Sequence, residues 1–356
     1  MPVTETCRIL IYRCGAIGDT IVAIPAMRAI RERYPQADFL LMTAGGGENI
    51  VWTDRVLRDF GWFESVITYE AGDLRSPLSL WRVVRRVRAL APDIVFYLGS
   101  DKNSALKAFR DRIFFLLSGV SRFVGTSSRK VTAWGWLRRA AHTYPFEVDR
   151  LLADLRRQGV PATNVRFDLP IAPADVNSVD RALKGSGMDA ARSLVAMCPG
   201  SKQPIKVWPE DRFAEVGRRL IEDDGLNIAI VGGSDEAVVG ARLVAGWPHS
   251  RAVNLAQKLS ILESAELMRR CVFYLGNDTG AMHIAASVGT RCVAIFAARE
   301  AARSWHPYGE NHVVLRKSVS CQNCYLSECR KEKLRCLLDI SVADVLAACQ
   351  RLRVYR

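Results

Sequence analysis

The residues best suited to chemistry stand in one short stretch, Tyr274-Leu275-Gly276-Asn277-Asp278-Thr279-Gly280-Ala281-Met282-His283. An apolar run over 272–275 gives way to a polar turn, and the turn opens a run of small residues over 281–287 that reads as a helix. Backbone N–H groups at a helix start have no partners inside the helix and can receive a phosphate. Asp278 and Thr279 can hydrogen-bond a sugar or phosphate there, and His283 sits one turn into the helix on the adjoining face. The plainer alternative is that Asp278 only caps the helix. Polar loops also follow apolar runs around Asp19, over Lys202–Lys206 and over Ser234–Glu236. A different chemistry is suggested by Cys321, Cys324, Cys329 and Cys336, four thiols within sixteen positions. Such a set can hold zinc or iron, but the spacing is irregular and reduced thiols or an adventitious disulfide are the alternatives.

The elements that position these loops follow from the pattern of apolar runs and breakers. Strands are expected over 8–12, 39–42, 65–69, 94–98 and 122–125, and helices over 20–33, 80–90 and 146–158. The proline-rich stretch Leu169-Pro170-Ile171-Ala172-Pro173 marks a boundary. Beyond it, strands over 194–197, 227–231, 272–275 and 292–296 alternate with helices over 210–221, 235–244 and 281–287, and a last helix covers 340–352. This is α/β, with two doubly wound Rossmann-like domains facing each other across a cleft: residues 1–170, residues 171–340 and a C-terminal helix over 341–356. Parallel sheets bind ligands at the carboxyl ends of their strands. That is where the four loops fall, and Asp19 is expected to face the other three across the cleft. The opening loop has only Gly15 and Gly18, so it lacks the G-x-G-x-x-G dinucleotide fingerprint, and no Gly-Lys-Ser/Thr of a P-loop follows it.

Composition bounds the partners. The chain has 356 residues and a formal net charge of +13, with the surplus heavier in the first half. Arg82, Arg85, Arg86 and Arg88 sit together, and Lys102, Lys107, Arg110, Arg112, Arg122, Arg129 and Lys130 meet only one acid, Asp111. Such basic runs suit nucleic acid, an anionic membrane surface or an acidic substrate, or are simply solvated helix faces. Aromatic residues do not interleave with them, and no helix-turn-helix, zinc-finger or RNA-binding motif occurs, so no nucleic-acid partner is expected. No apolar run is long enough to span a membrane, the N-terminus does not read as a signal peptide, and ten cysteines in such a chain are expected to be reduced thiols of a cytoplasmic protein.

The chain resembles glycosyltransferase family 9, the ADP-heptose:lipopolysaccharide heptosyltransferases, over nearly its whole length. The resemblance is carried by residues 11–25 with Gly18-Asp19, Pro199-Gly200-Ser201 leading to Lys206-Val207-Trp208-Pro209, residues 232–236, and Asn277-Asp278-Thr279-Gly280 with His283. It implies the GT-B fold and inverting, metal-independent transfer of heptose from ADP-heptose to a lipopolysaccharide core or related anionic glycolipid, with no cofactor. It makes Asp19 the general base and Lys206 the cation that meets charge growing on the nucleoside diphosphate leaving group. Ser201, Lys202, Asp278, Thr279, Gly280 and His283 then contact the donor phosphates and Glu236 the ribose, with helix capping as the other role for Glu236. It also implies a cytoplasmic enzyme attached peripherally to the inner membrane, and leaves a metal at the four cysteines only a structural job. Another sugar donor or acceptor, or a non-catalytic nucleotide- or nucleic-acid-binding protein, are the competing readings.

Overall fold

A computed structural model describes residues 7–46, 51–74, 76–99, 105–125, 144–330 and 333–354. The chain divides into two compact units, Met1–Phe167 and Asp168–Arg356. Lys102, Arg129 and Lys130 lie outside the described residues.

The first unit runs β1 (Arg8–Tyr12), α1 (Ile17–Ile21), α2 (Ile24–Arg33), β2 (Asp38–Ala44), α3 (Thr53–Leu57), β3 (Ser65–Tyr69), α4 (Pro77–Ala89), β4 (Ile94–Tyr97), α5 (Ala105–Leu117), β5 (Arg122–Val124) and α6 (Glu147–Arg157). Its strands form one parallel sheet in the order β3-β2-β1-β4-β5. β1 lies at the centre with Ile9, Leu10 and Ile11 wholly buried, as a strand covered on both faces must be. The single helix expected over 20–33 is two. Pro25 stands in the first turn of α2, and its ring would clash with the carbonyl of Ile21 if the helix ran through. The loop after β1 therefore ends in the short α1, which carries Asp19.

The second unit runs α7 (Pro173–Gly185), β6 (Leu194–Cys198), α8 (Glu210–Glu222), β7 (Asn227–Ile230), α9 (Ser234–Ala245), β8 (Ala252–Asn254), α10 (Ile261–Arg269), β9 (Phe273–Asn277), α11 (Gly280–Ser287), β10 (Cys292–Ile295), β11 (Val313–Leu315), α12 (Arg335–Leu338) and α13 (Val342–Val354). All six strands are parallel, in the order β11-β10-β9-β6-β7-β8. The stretch read as a proline-rich boundary is already helical from Pro173, a residue suited to the first helical position because its missing N–H is not needed there. The terminal helix α13 belongs to this unit, since Val345, Ala348, Cys349 and Leu352 are buried in the core formed with β6, β7, β9 and β10. The strand order sets the carboxyl ends of β6, β7 and β9 side by side, with β10 next along.

Candidate active site

In the first unit the loop after β1 is built around Asp19. The Ala16 amide donates to Asp19 Oδ2 at 3.2 Å, so the carboxylate caps its own helix while the side chain stays about one-third exposed. Beneath it lies Arg13, a wholly buried arginine at the end of β1. Its Nε donates to the Asp19 carbonyl at 3.0 Å and its Nη1 to the Leu98 carbonyl at 2.6 Å. The guanidinium stands 3.9 Å from both the Asp19 and Glu147 carboxylates. A buried cation is tolerated only with such partners, and here they pin α1 to the sheet. Gly15 is required for close approach, because a Cβ there would come within 2.2 Å of Asp19 Cβ.

In the second unit the loop after β6 is tied to β9 by Asn277, the last residue of that strand and wholly buried. Its Nδ2 donates to the carbonyls of Pro199 (2.7 Å) and Gly200 (3.2 Å), and its Oδ1 accepts from the Trp208 amide (3.1 Å). The amide therefore holds both ends of the Pro199–Trp208 loop against β9. Trp208 itself is buried packing, with Nε1 donating to the Ile340 carbonyl at 3.0 Å.

That loop delivers Lys206 to the next residue of the chain after Asn277. Lys206 Nζ lies 2.5 Å from Asp278 Oδ2 and 3.8 Å from Glu300 Oε1, and both acids are nearly buried. Burial works against the Lys206 charge, but the two carboxylates more than offset it and hold the ammonium above the ordinary lysine range. Asp278 is thus not the cap of α11. The N-cap position belongs to Thr279, whose hydroxyl lies 3.3 Å from the Tyr274 hydroxyl, and no side chain caps the helix. The first N–H groups of α11, beginning at Gly280, start beside the Lys206–Asp278 pair. His283 is buried one turn in, its ring edge-on to Trp305 at 6.2 Å.

Glu236 does cap α9, accepting from the Gly233 amide at 2.8 Å, and the same carboxylate also lies against the β6 loop. A Cβ on Gly200 would fall 2.4 Å from Glu236 Oε1. Capping and facing the neighbouring loop are compatible for this residue. Ser201 and Lys202 follow Gly200 directly; Lys202 is exposed and Ser201 Oγ faces the Gln203 amide at 3.5 Å.

Sequence reasoning missed the residues that lie behind Lys206. Arg299 donates to Gln203 in the Lys206 loop, to Glu300 Oε1 at 3.2 Å and to the Tyr325 carbonyl at 3.4 Å. The run Asp278–Lys206–Glu300–Arg299 thus alternates in sign. His306, also unassigned, feels the Asp278 charge, but burial dominates and pushes its pKa down to about 4, so the ring is neutral near pH 7. The cysteine-rich segment braces this loop: the Asn323 amide donates to the Ala298 carbonyl at 2.7 Å and the Tyr325 amide to the Arg299 carbonyl at 2.9 Å. Burial, with the neighbouring thiols of Cys329, Cys321 and Cys324, raises the Cys336 thiol. Among the described residues no group of three or more His, Cys, Asp or Glu side chains is set to hold a metal ion.

A cation between two carboxylates at a helix N-terminus, beside a second carboxylate-lined loop, suits a phosphorylated ligand with a hydroxylated sugar next to it. Known proteins share the framework. The chain is 22% identical over 302 residues to lipopolysaccharide heptosyltransferase 2 of Escherichia coli, covering 81% of this chain and 82% of that one. It is 28% identical over 170 residues to lipooligosaccharide heptosyltransferase 2 of Haemophilus influenzae; this match takes in 45% of the chain and spans about half (49%) of that relative. The crystal structure of the family 9 glycosyl transferase from Veillonella parvula superposes with a TM-score of 0.74 at 20% identity, covering 99% of both chains, which establishes a shared fold of the GT-B type. The model of glycosyltransferase family 9 (heptosyltransferase) matches residues 124–335. That span is more than half of the chain and includes the loops of Lys206, Glu236 and Asp278, so this chain is a member of glycosyltransferase family 9 and a glycosyltransferase.

Proposed function

We propose that this chain transfers heptose from ADP-heptose to a lipopolysaccharide core or a related anionic glycolipid, with inversion and without a catalytic metal. The observation that carries the reading is Lys206, held as an ammonium between Asp278 and Glu300 beside the open start of α11. The bond from the anomeric carbon to the diphosphate oxygen breaks as the acceptor oxygen attacks from the opposite face. Negative charge grows on the diphosphate, and Lys206 and the α11 amides meet it. Asp19 takes the proton of the acceptor hydroxyl as the new glycosidic bond forms. Ser201, Lys202, Thr279, Gly280 and His283 line the phosphates, and Glu236 takes the ribose hydroxyls. The cysteine-rich segment serves as a brace for the Arg299–Glu300 loop, and a metal held by its thiols would be structural.

The relatives whose names specify lipopolysaccharide or lipooligosaccharide support the acceptor class. No helix among the described residues is long and apolar enough to cross a membrane, so work on a lipid-linked acceptor calls for peripheral attachment at the cytoplasmic face of the inner membrane. The test is a donor panel. The protein is incubated with ADP-heptose, ADP-glucose, UDP-glucose or GDP-mannose and a lipopolysaccharide core lacking its outer heptose, and products are read by mass. Gain of one heptose with ADP-heptose is expected; transfer only from another donor would overturn the reading.

A further inference from the structure

Two helices of the first unit carry apolar side chains that nothing among the described residues buries. α4 and α5 touch each other and pack through Val83, Val87 and Phe115 on one face of the first sheet. Their outer sides are not those of ordinary surface helices. Leu78 and Trp81 on α4 are 73% and 51% exposed, and Phe109 on α5 is 64% exposed, with Ile113, Leu116 and Leu117 exposed beside it. These four positions of α5 fall at i, i+4, i+7 and i+8, which is a single stripe. Six of the ten large exposed apolar side chains of the described residues thus fall on two adjoining helices, a concentration that marks an interaction surface.

The polar residues of the same faces specify the partner. Arg82 and Arg85 continue the Leu78–Trp81 stripe at i+4 and i+7, and Arg110 and Arg112 flank the apolar stripe of α5; all four are exposed. The one acid on the two helices is Asp111, which is buried and held by the Tyr97 hydroxyl at 2.8 Å and by Arg110 at 2.6 Å. We propose that the paired outer faces of α4 and α5 dock on an anionic lipid bilayer, the apolar side chains entering the headgroup region and the arginines meeting lipid phosphates. Aromatic residues favour that depth, and arginine stems can lie along it with their heads at the phosphates. A second copy of the chain is a poorer occupant. A two-fold contact would set these arginines against one another with no exposed acid on either helix to answer them. The inference rests on the lipid-linked acceptor proposed above, whose enzyme must work at a membrane.

The test uses the full chain with vesicles of phosphatidylethanolamine and phosphatidylglycerol, and with vesicles of phosphatidylcholine alone. Partition onto the anionic vesicles is expected to be at least ~10-fold stronger and to weaken as salt rises. The triple variant Trp81→Ser, Phe109→Ser, Leu116→Ser is expected to lose roughly tenfold or more of that partition at every salt concentration. Its melting temperature and its turnover on detergent-dispersed acceptor should stay at the wild-type level, since these side chains are exposed. Acyl chains brominated near the headgroup should quench tryptophan fluorescence in the wild type and less so in Trp81→Phe. Equal partition onto both vesicle types, or unchanged partition of the triple variant, would overturn the proposal. So would wild-type dimers that the triple variant disperses, in a protein that ignores vesicles. Turnover on dispersed acceptor reads transfer without a bilayer and vesicle binding reads docking without chemistry, so failure of one is separable from failure of the other.

Discussion

At the residue scale the centre of the proposed donor site is an ammonium whose charge is set by its neighbours. Lys206 has its pKa raised because Asp278 and Glu300 outweigh the effect of burial. The stabilisation from this pairing is therefore complete below the ordinary lysine value and is lost only as pH rises through the elevated folded value. Glu300→Gln removes one of the two carboxylates and leaves Arg299 as an uncompensated neighbour. Turnover should fall roughly tenfold, since charge on the leaving group grows as the bond breaks, and the alkaline limb of the kcat profile should move to lower pH. Donor affinity should change less than turnover. An unmoved pH profile would show that Glu300 has only a packing role. Lys206→Ala should harm kcat more than donor binding, and equal losses in donor affinity and kcat/KM would instead indicate uniform binding. Lys206 and Asp278 were legible in the sequence because each stands in a short polar motif after an apolar run. Arg13, Arg299 and Glu300 were not. Arg299 meets Gln203 across 96 positions, and a buried arginine looks like any other basic residue until its partners are in place.

At the scale of elements, strand ends and glycines do the positioning. Gly200→Ala would place a methyl 2.4 Å from Glu236 Oε1 and displace that carboxylate. The expected result is a donor affinity weaker by about tenfold, with the fold intact, because a single charge-assisted contact is of this order; calorimetry with ADP would read it. Asn277→Ala would leave two buried carbonyls and one amide without their partner. That should lower stability by about 2–4 kcal/mol, measured by urea unfolding. A smaller loss would mean that the Pro199–Trp208 loop holds to β9 without the clamp. Most strands of the two sheets were readable as apolar runs because strands covered on both faces are apolar throughout, but the three-residue edge strands β8 and β11 were not. α3, α5, α7, α10 and α12 were not recognised. The inner and outer sides of α5 are both apolar, so its periodicity is weak, and α7 begins inside a proline-rich stretch that also reads as a linker. The division of α1 from α2 was legible in principle, since Pro25 forbids a continuous helix.

On the scale of the whole molecule the chain is two α/β units, and part of the basic surplus lies exposed on α4 and α5 of the first. With an anionic lipid-linked acceptor, acceptor KM should rise several-fold between low and high salt while donor KM changes much less, because exposed charges are screened and buried pairs are not. A flat acceptor KM would reduce the arginines of α4 and α5 to a solvated face. Saturating EDTA should leave turnover in place, and a loss that added Mg²⁺ restores would contradict the metal-free scheme. The central claim, that a carboxylate in the first loop and an ammonium in the second unit together run an inverting heptosyl transfer, is tested most directly at Asp19. The measurement is single-turnover transfer from ADP-heptose by wild type and Asp19→Asn, with ADP binding measured alongside and the anomeric configuration of the product read by NMR. The account predicts an inverted product, turnover lower by at least ~100-fold in the variant, and ADP affinity within a few-fold of wild type. Near-normal transfer by Asp19→Asn, or a product with retained configuration, would contradict it.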